Sequence, residues 1–156
     1  MISTVEKVLF LKSIDLFSQI PGEDLSQIAQ ITDEVQFDEG DEVFHEGDPG
    51  DTLYFVIEGK VRIHTGGDEL AVLGERQVFG EMALLDSEPR SASASAVLDL
   101  TLLKIHRDDF NEILAEKSEI AQGIIKVLTR RLRNTLDRRR AGGLPAERTD
   151  PRAKSG

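Results

Sequence analysis

Apolar positions change their period twice along the chain. In the first segment, roughly 4–32, Val5, Val8, Leu9 and Lys12 recur at helical steps, and Ile14, Leu16 and Phe17 follow in a looser turn. Pro21 then opens a second short helix, with Glu23 and Asp24 at its positive end and Leu25, Ile28 and Ala29 on one face. From about residue 34 the period moves toward two. Val35 and Phe37, then Val43 and Phe44, alternate with acidic residues, as half-buried strands do. The run Leu53-Tyr54-Phe55-Val56-Ile57 is too short for a buried helix and predicts a core strand, with Tyr54 in the core.

Turn chemistry punctuates this region every 8–12 residues: Glu39-Gly40-Asp41, Gly47-Asp48-Pro49-Gly50-Asp51, Glu58-Gly59-Lys60 and Gly66-Gly67-Asp68. Further strands are predicted over 93–98 and 101–106. So many short strands at that spacing predict a sandwich, roll or barrel. From Asp108 to about Arg140 the helical period returns, with Ile125, Leu128, Leu132 and Thr135/Leu136 forming a narrow stripe. The last stretch, 141–156, is rich in Gly, Pro and charge and is expected to be a disordered tail. The expected organisation is one domain over 1–140: N-terminal helices 4–32, strands 33–106 and C-terminal helices 108–140.

Composition changes this picture only in part. At 156 residues, 39% hydrophobic and 31% charged, the chain has the profile of one globular domain. With no cysteine it offers no disulfide, thiolate metal ligand or thiol nucleophile. The N-terminus lacks a signal-peptide core and a run of ~18 apolar residues, so a cytoplasmic protein without a membrane span is expected. Charge is lopsided. Residues 1–125 carry 9 basic against 26 acidic side chains, and residues 126–156 carry 10 against 3. An acidic body repels phosphate polymers. The basic stretch Arg130, Arg131, Arg133, Arg138, Arg139 and Arg140 reads as a solvated helix face that could also meet an acidic partner.

Candidate chemistry concentrates in Phe79-Gly80-Glu81-Met82-Ala83-Leu84-Leu85-Asp86-Ser87-Glu88-Pro89-Arg90-Ser91-Ala92. A cyclic phosphodiester carries one negative charge, which a guanidinium meets with two parallel bonds. A ribose 2′-OH needs an acceptor such as a carboxylate, and close backbone approach needs glycine. Gly80 and Glu81 begin a short helical segment, Arg90 follows an acidic turn, and Ser91 and Ala92 keep the next strand small. A plainer reading makes Glu81 and Arg90 an ion pair that closes the loop.

This segment resembles the phosphate-binding cassette of the cyclic-nucleotide-binding domain family: Phe-Gly-Glu, a small apolar helix, then Pro-Arg and small residues. Upstream, Gly47-Asp48, Gly50-Asp51, Tyr54, Ile57, Gly59 and Val61 are similar to the family's strand-turn-strand signature. Downstream, Thr129-Arg130-Arg131-Leu132-Arg133-Asn134-Thr135 resembles the long C-terminal helix of bacterial catabolite-activator-type regulators. Protein kinase A regulatory subunits and cyclic-nucleotide-gated channels share the family. The resemblance covers about residues 10–136. It implies a jelly-roll-like β-roll (a double-stranded β-helix) with N-terminal helices and a long C-terminal helix, and a regulatory function without catalysis or cofactor.

By the resemblance, Glu81 accepts from the ribose 2′-OH and Arg90 binds the cyclic phosphate. Phe79, Gly80, Met82 and Ala83 shape the cassette, and Ser91 and Ala92 offer a hydroxyl and an amide. Thr135 takes the first of two helix positions that reach the base in the activators, whereas Leu136 departs from the hydroxyl expected at the second. A serine after the arginine occurs in bacterial cyclic-AMP activators, so cyclic AMP is favoured over cyclic GMP. The expected output runs through the C-terminal helix to a fused or partner effector, or to a second copy held weakly. A free-standing sensor and one module of a larger protein both fit, and Glu6–Ser13 resembles the lead-in to modules appended to transporters or helical-repeat proteins. DNA binding by this chain is not expected, because no helix-turn-helix follows Arg140 within it. The alternative is a ligand-free β-roll acting as a protein-interaction or dimerisation module.

Other residues read as structural. His45, His64 and His106 lie on separate segments without paired spacing, which counts against a metal-dependent β-barrel enzyme. Ser91, Ser93 and Ser95 alternate without a positioned histidine and are poor nucleophiles. Asp48 and Asp51 lack the remaining ligands of a calcium loop and are turn formers.

Overall fold

The N-terminal segment is nucleated at Ser3. Its hydroxyl accepts from Glu6 N at 3.2 Å while the Glu6 carboxylate accepts from Ser3 N at 2.9 Å, a reciprocal capping box. In this computed structural model, which describes residues 2–81 and 88–141, the box starts helix α1, Thr4–Lys12. A 3₁₀ turn, Asp15–Phe17, and helix α2, Gly22–Gln30, follow. The looser turn expected after the first helix is this 3₁₀ turn, and Pro21 stands at the N-cap of α2, so the helical stretch is broken where the turn is expected.

The break has a use. Ile14, Phe17 and Ile20 recur every third residue, which the tighter 3₁₀ turn places on one side, and all three are buried with Leu11. The apolar stripe expected on α1 is different in fact. Val5 and Leu9 stay exposed, at 68% and 67%, while Leu11 is the buried position.

Eight strands follow, all antiparallel where they pair. They are β1 Thr32–Phe37, β2 Glu42–Phe44, β3 Thr52–Glu58, β4 Val61–Thr65, β5 Asp68–Leu73, β6 Val78–Phe79, β7 Ser93–Ala96 and β8 Leu100–His106. One sheet has the order β1-β8-β3-β6 and the other β2-β7-β4-β5. Successive strands alternate between sheets over much of the chain, which gives the jelly-roll-like β-roll. The turn expected at Gly66–Asp68 joins β4 to β5, an edge strand the apolar pattern does not reveal because Leu70 and Val72 are exposed.

Strands β3 and β8 are buried on both faces. Leu53, Phe55, Leu103 and Ile105 pack against the helices with Phe17, Leu25, Ile28 and Phe110. Val56, Leu100 and Leu102 turn inward, to Val61, Phe79, Ala94 and Ala96. Two-sided burial explains the unbroken apolar run. Tyr54 belongs to the inner face but is only half-buried.

The C-terminal helical region is divided at Lys117, whose φ of −127° and ψ of 85° leave the helix. Helix α3 spans Arg107–Glu116 and buries Phe110 and Ile113; helix α4 spans Ser118–Ala141 and buries Ile120 and Val127. Beyond them, Ile125, Leu128, Leu132 and Leu136 are exposed. Asp15 ties α4 to the 3₁₀ turn: one oxygen accepts from Arg130 at 2.8 Å and the other from Arg131 at 3.0 Å. Two of the arginines read as a solvated face are therefore spent within the chain. No described helix is long and apolar enough to cross a membrane. The tail expected from 141 lies outside the described residues, apart from Ala141, which ends α4.

Candidate functional site

Two loops meet at one end of the β-roll. The loop from β2 to β3 and the segment leading into β7 are stitched by a pair of backbone bonds, Gly47 N to Arg90 O and Arg90 N to Asp48 O, each 2.8 Å. The pairing fixes the backbone of Arg90 and turns its side chain inward, where it is 9% exposed.

Four contacts hold the guanidinium. Nη2 donates to the Thr52 carbonyl at 2.8 Å. The guanidinium carbon lies 4.1 Å from the centroid of the Phe44 ring. Gly50 flanks the arm so closely that a Cβ there would lie 3.2 Å from Arg90 Cδ and Nε. At Gly80, whose φ is +78°, a Cβ would lie 2.8 Å from Nη1 and 3.0 Å from Thr52 O. Glycine is needed there twice over, for the left-handed backbone and for the space. Arg90 Nε is buried without a hydrogen-bond partner. Burial disfavours the charged form of Arg90, and the carboxylates of Asp51 and Asp48 work the other way. A buried donor left unmade costs about 1–3 kcal/mol, so Nε marks an acceptor position waiting to be filled.

Arg90 stands at the edge of a cavity of about 400 Å³. Of the residues expected at the site, Phe79, Gly80, Glu81, Arg90, Ser91 and Ala92 line it. Phe44, Ile63, Leu73 and Val78, which the motif reading did not select, supply an apolar wall. Their signal in the sequence is only strand alternation, which cannot say which inward residues face a void. The volume falls in the usual range for small-molecule pockets, about 300–1,000 Å³. Met82 and Ala83 lie outside the described residues. Thr135 does not line the cavity; it is exposed on α4 and its hydroxyl donates to Arg131 O at 3.0 Å.

The loop-closing ion pair between Glu81 and Arg90 is not formed. Glu81 keeps an exposed surface, yet the packing around its carboxyl raises its pKa above the ordinary value. Its own backbone hydrogen bond and the positive charge of Arg131 oppose that rise. Helix α4 thus acts electrically on the rim of the cavity. The site combines one buried cation with open donor capacity, the carboxylates of Glu81 and Glu88 at its edge and an apolar wall, which suits a small amphipathic anion.

The remaining candidates are engaged elsewhere. His45 bonds Glu42 at 3.0 Å and His106 bonds Asp51 at 3.1 Å. Contrary to the sequence reading, one serine does have a positioned histidine: His64 Nε2 lies 2.8 Å from Ser95 Oγ. Neither residue lines the cavity, and the bond ties β4 to β7. Ser93 accepts from Glu46 N at 2.9 Å. Asp48 accepts from His45 N within its turn, and Asp51 accepts from Thr52 as well as His106. Among the described residues no group of three or more His, Asp or Glu side chains is placed to hold a metal ion.

Comparison with known proteins agrees with this geometry. The chain is 38% identical over 128 residues to the cyclic AMP receptor protein of Thermus thermophilus, covering 79% of this chain and 59% of that one. It is 36% identical over 122 residues to a CRP-like cAMP-activated global transcriptional regulator of Mycobacterium tuberculosis, covering 73% and 54%. The chain thus spans about half the length of the curated relatives it matches. Among solved structures, the N-terminal domain of a transcriptional regulator from Streptomyces coelicolor superposes with a TM-score of 0.73 at 36% identity, covering 82% of this chain and 92% of that one. The family model for the cyclic nucleotide-binding domain matches residues 34–117, from β1 through α3 and across the whole cavity, and the chain belongs to that family.

Proposed function

We propose that this chain is a sensor module that binds cyclic AMP in preference to cyclic GMP and transmits occupancy through α4. The observation that carries the reading is Arg90: a buried guanidinium with an unfilled Nε, no bonded carboxylate among the described residues, and a cavity beside it. A cyclic phosphate would accept from Arg90, with the Ser91 hydroxyl and Ala92 amide adding donors. The ribose 2′-OH would donate to Glu81, and the base would lie toward Ile63, Leu73 and Val78. The preference for cyclic AMP rests on Ser91 after the arginine and on the likeness to the cyclic AMP receptor protein and the cAMP-activated regulator.

The site performs no bond-breaking step in this reading, and its output is mechanical. Arg131 bonds Asp15 while its charge acts on Glu81, so a ligand at Glu81 alters the electrostatic surroundings of the residue that anchors α4. Thr135 reaches a base only if α4 moves or a second copy brings its own α4 to the cavity. DNA binding is not part of the proposal for this chain.

Calorimetric titration with cyclic AMP and cyclic GMP tests the reading. Binding of cyclic AMP tighter than cyclic GMP is expected. Arg90→Ala should weaken it by roughly 30-fold or more, since removing one partner of a buried charged pair costs about 2–5 kcal/mol. Arg90→Lys should recover little, because an ammonium lacks the planar fork. If neither nucleotide binds, the chain is better read as a ligand-free interaction or dimerisation module.

A further inference from the structure

We infer that Phe44 is a positioning residue for Arg90, holding its guanidinium so that the charge is compensated while the N–H groups stay available to an anion. The inference rests on the reading of Arg90 as the phosphate-binding group. Burial alone works against the charged form of Arg90. The usual remedy for a buried cation is a carboxylate, which would neutralise the charge and occupy the donors a phosphate needs. An aromatic face does the first without the second. Its quadrupole attracts the cation, and it accepts no strong hydrogen bond from the guanidinium edge. Here the guanidinium carbon lies 4.1 Å from the Phe44 centroid, well inside the ~6 Å over which the attraction acts.

The ring is itself held in place. Phe44 meets Tyr54 at 6.0 Å and Phe79 at 5.9 Å between centroids, and Tyr54 stacks on Phe79 at 5.1 Å with 13° between planes. Opposing restraint comes from the Thr52 carbonyl on Nη2 and from the narrow space at Gly50 and Gly80. Among the described residues only Nη2 is spent on a protein acceptor, and Nε is left without a partner. Phe44 also lines the cavity, so ring and cation form one surface. Strand β2 asks of this position only a half-buried apolar side chain, which leucine would satisfy. What leucine cannot supply is the negative face. Fixing the arm before the ligand arrives removes an ordering cost from binding.

The test compares Phe44→Leu and Phe44→Tyr with the unaltered chain in two measurements. The first is nitrogen relaxation and water exchange of the Arg90 Nε–H without ligand. The second is calorimetric affinity for cyclic AMP. Phe44→Leu should mobilise Arg90 and weaken binding about 3- to 30-fold, while Phe44→Tyr, which keeps the ring, should restore both. If Phe44→Leu leaves Arg90 as ordered as before, the inference is overturned, even where affinity falls, because Phe44 is then only a wall of the cavity. Unchanged affinity in a mobilised Arg90 would overturn it equally. Should Phe44→Leu fail to fold by thermal melting, Phe44→Met serves in its place. An unaltered chain that binds no cyclic nucleotide would refute the functional reading, and the relaxation measurement would still judge Phe44.

Discussion

Gly80→Ala is the perturbation whose consequences the structure sets most closely. An L-residue forced into the left-handed region costs about 1–2 kcal/mol, and the φ of +78° at Gly80 imposes that cost. The new methyl group would also lie 2.8 Å from Arg90 Nη1 and 3.0 Å from the Thr52 carbonyl. The carbonyl is backbone and cannot move alone, so the guanidinium must give way. It then loses its bond to Thr52, worth about 1.5–3 kcal/mol for a charged donor. The two terms together come to roughly 2.5–5 kcal/mol. At about 3–4 °C per kcal/mol for a domain of this size, melting should fall by roughly 8–20 °C. Gly40→Ala is the matched control. Gly40 has a φ of +91° and nothing within 4 Å of an added Cβ, so only the backbone cost applies. Its melting should fall by roughly 3–8 °C. Thermal melting and nucleotide titration of both variants separate the terms: only Gly80→Ala should weaken cyclic nucleotide binding, by ~10-fold or more if the fork is displaced. Equal melting and equal affinity in the two variants would refute the account of how Arg90 is packed.

Glu81 gives a pH dependence with two opposite signs. Because packing raises its folded pKa, its contribution to stability is present at low pH and is lost as pH rises through that value; ligand affinity should instead fall as the pH drops through the same value, since a protonated carboxyl is a poorer acceptor. Melting and titration across the acid range should show both trends flattened in Glu81→Gln. Asp15→Asn removes the ion pairs to Arg130 and Arg131, which are about half exposed and worth at most about 1 kcal/mol, so melting should change little. Hydrogen exchange over 118–138 should quicken nonetheless. In the unaltered chain cyclic AMP should slow exchange over 118–138 as well as 88–92; protection confined to 88–92 would mean that α4 is not the relay.

Much of this architecture is legible because its signals are local. The Leu53–Ile57 run, the Gly-rich turns and the stripe on α4 each predict an element from neighbours in sequence. What is missed depends on distant partners. The burial of Ile14, Phe17 and Ile20 on one side of the 3₁₀ turn, and the solvent exposure of Val5 and Leu9, follow from what these segments pack on. Strand β5 carries too little burial to leave a pattern. At the site, Arg90 and Glu81 are singled out by the motif that carries them and by the family it resembles, and both line the cavity. Phe44 and the Thr52 carbonyl are not, because they lie 46 and 38 positions before Arg90 in the chain. A ring beneath a guanidinium looks in sequence like any other strand residue. Thr135 is the opposite case: a motif position that does not line this chain's own cavity, its hydroxyl donating to Arg131 O instead.

The charge distribution and the site bear on each other. A chain with a net charge of −10 repels anions at long range, yet its cavity is built around a cation. The repulsion fades over a Debye length of about 8 Å at physiological ionic strength. Capture is therefore decided inside the cavity, where Arg90 is desolvated and its attraction is least screened. That arrangement discriminates by valence and size. A small monoanion brings its one charge to the guanidinium and leaves nothing outside to be repelled. A nucleic acid could place one phosphate there only while holding its others against the acidic body. Among the described residues of α4, Arg130 and Arg131 are bound to Asp15, and Arg138, Arg139 and Arg140 lie in its last turn. Under the proposed function, an acidic exterior around the buried Arg90 favours a small phosphodiester over a polymer made of the same groups.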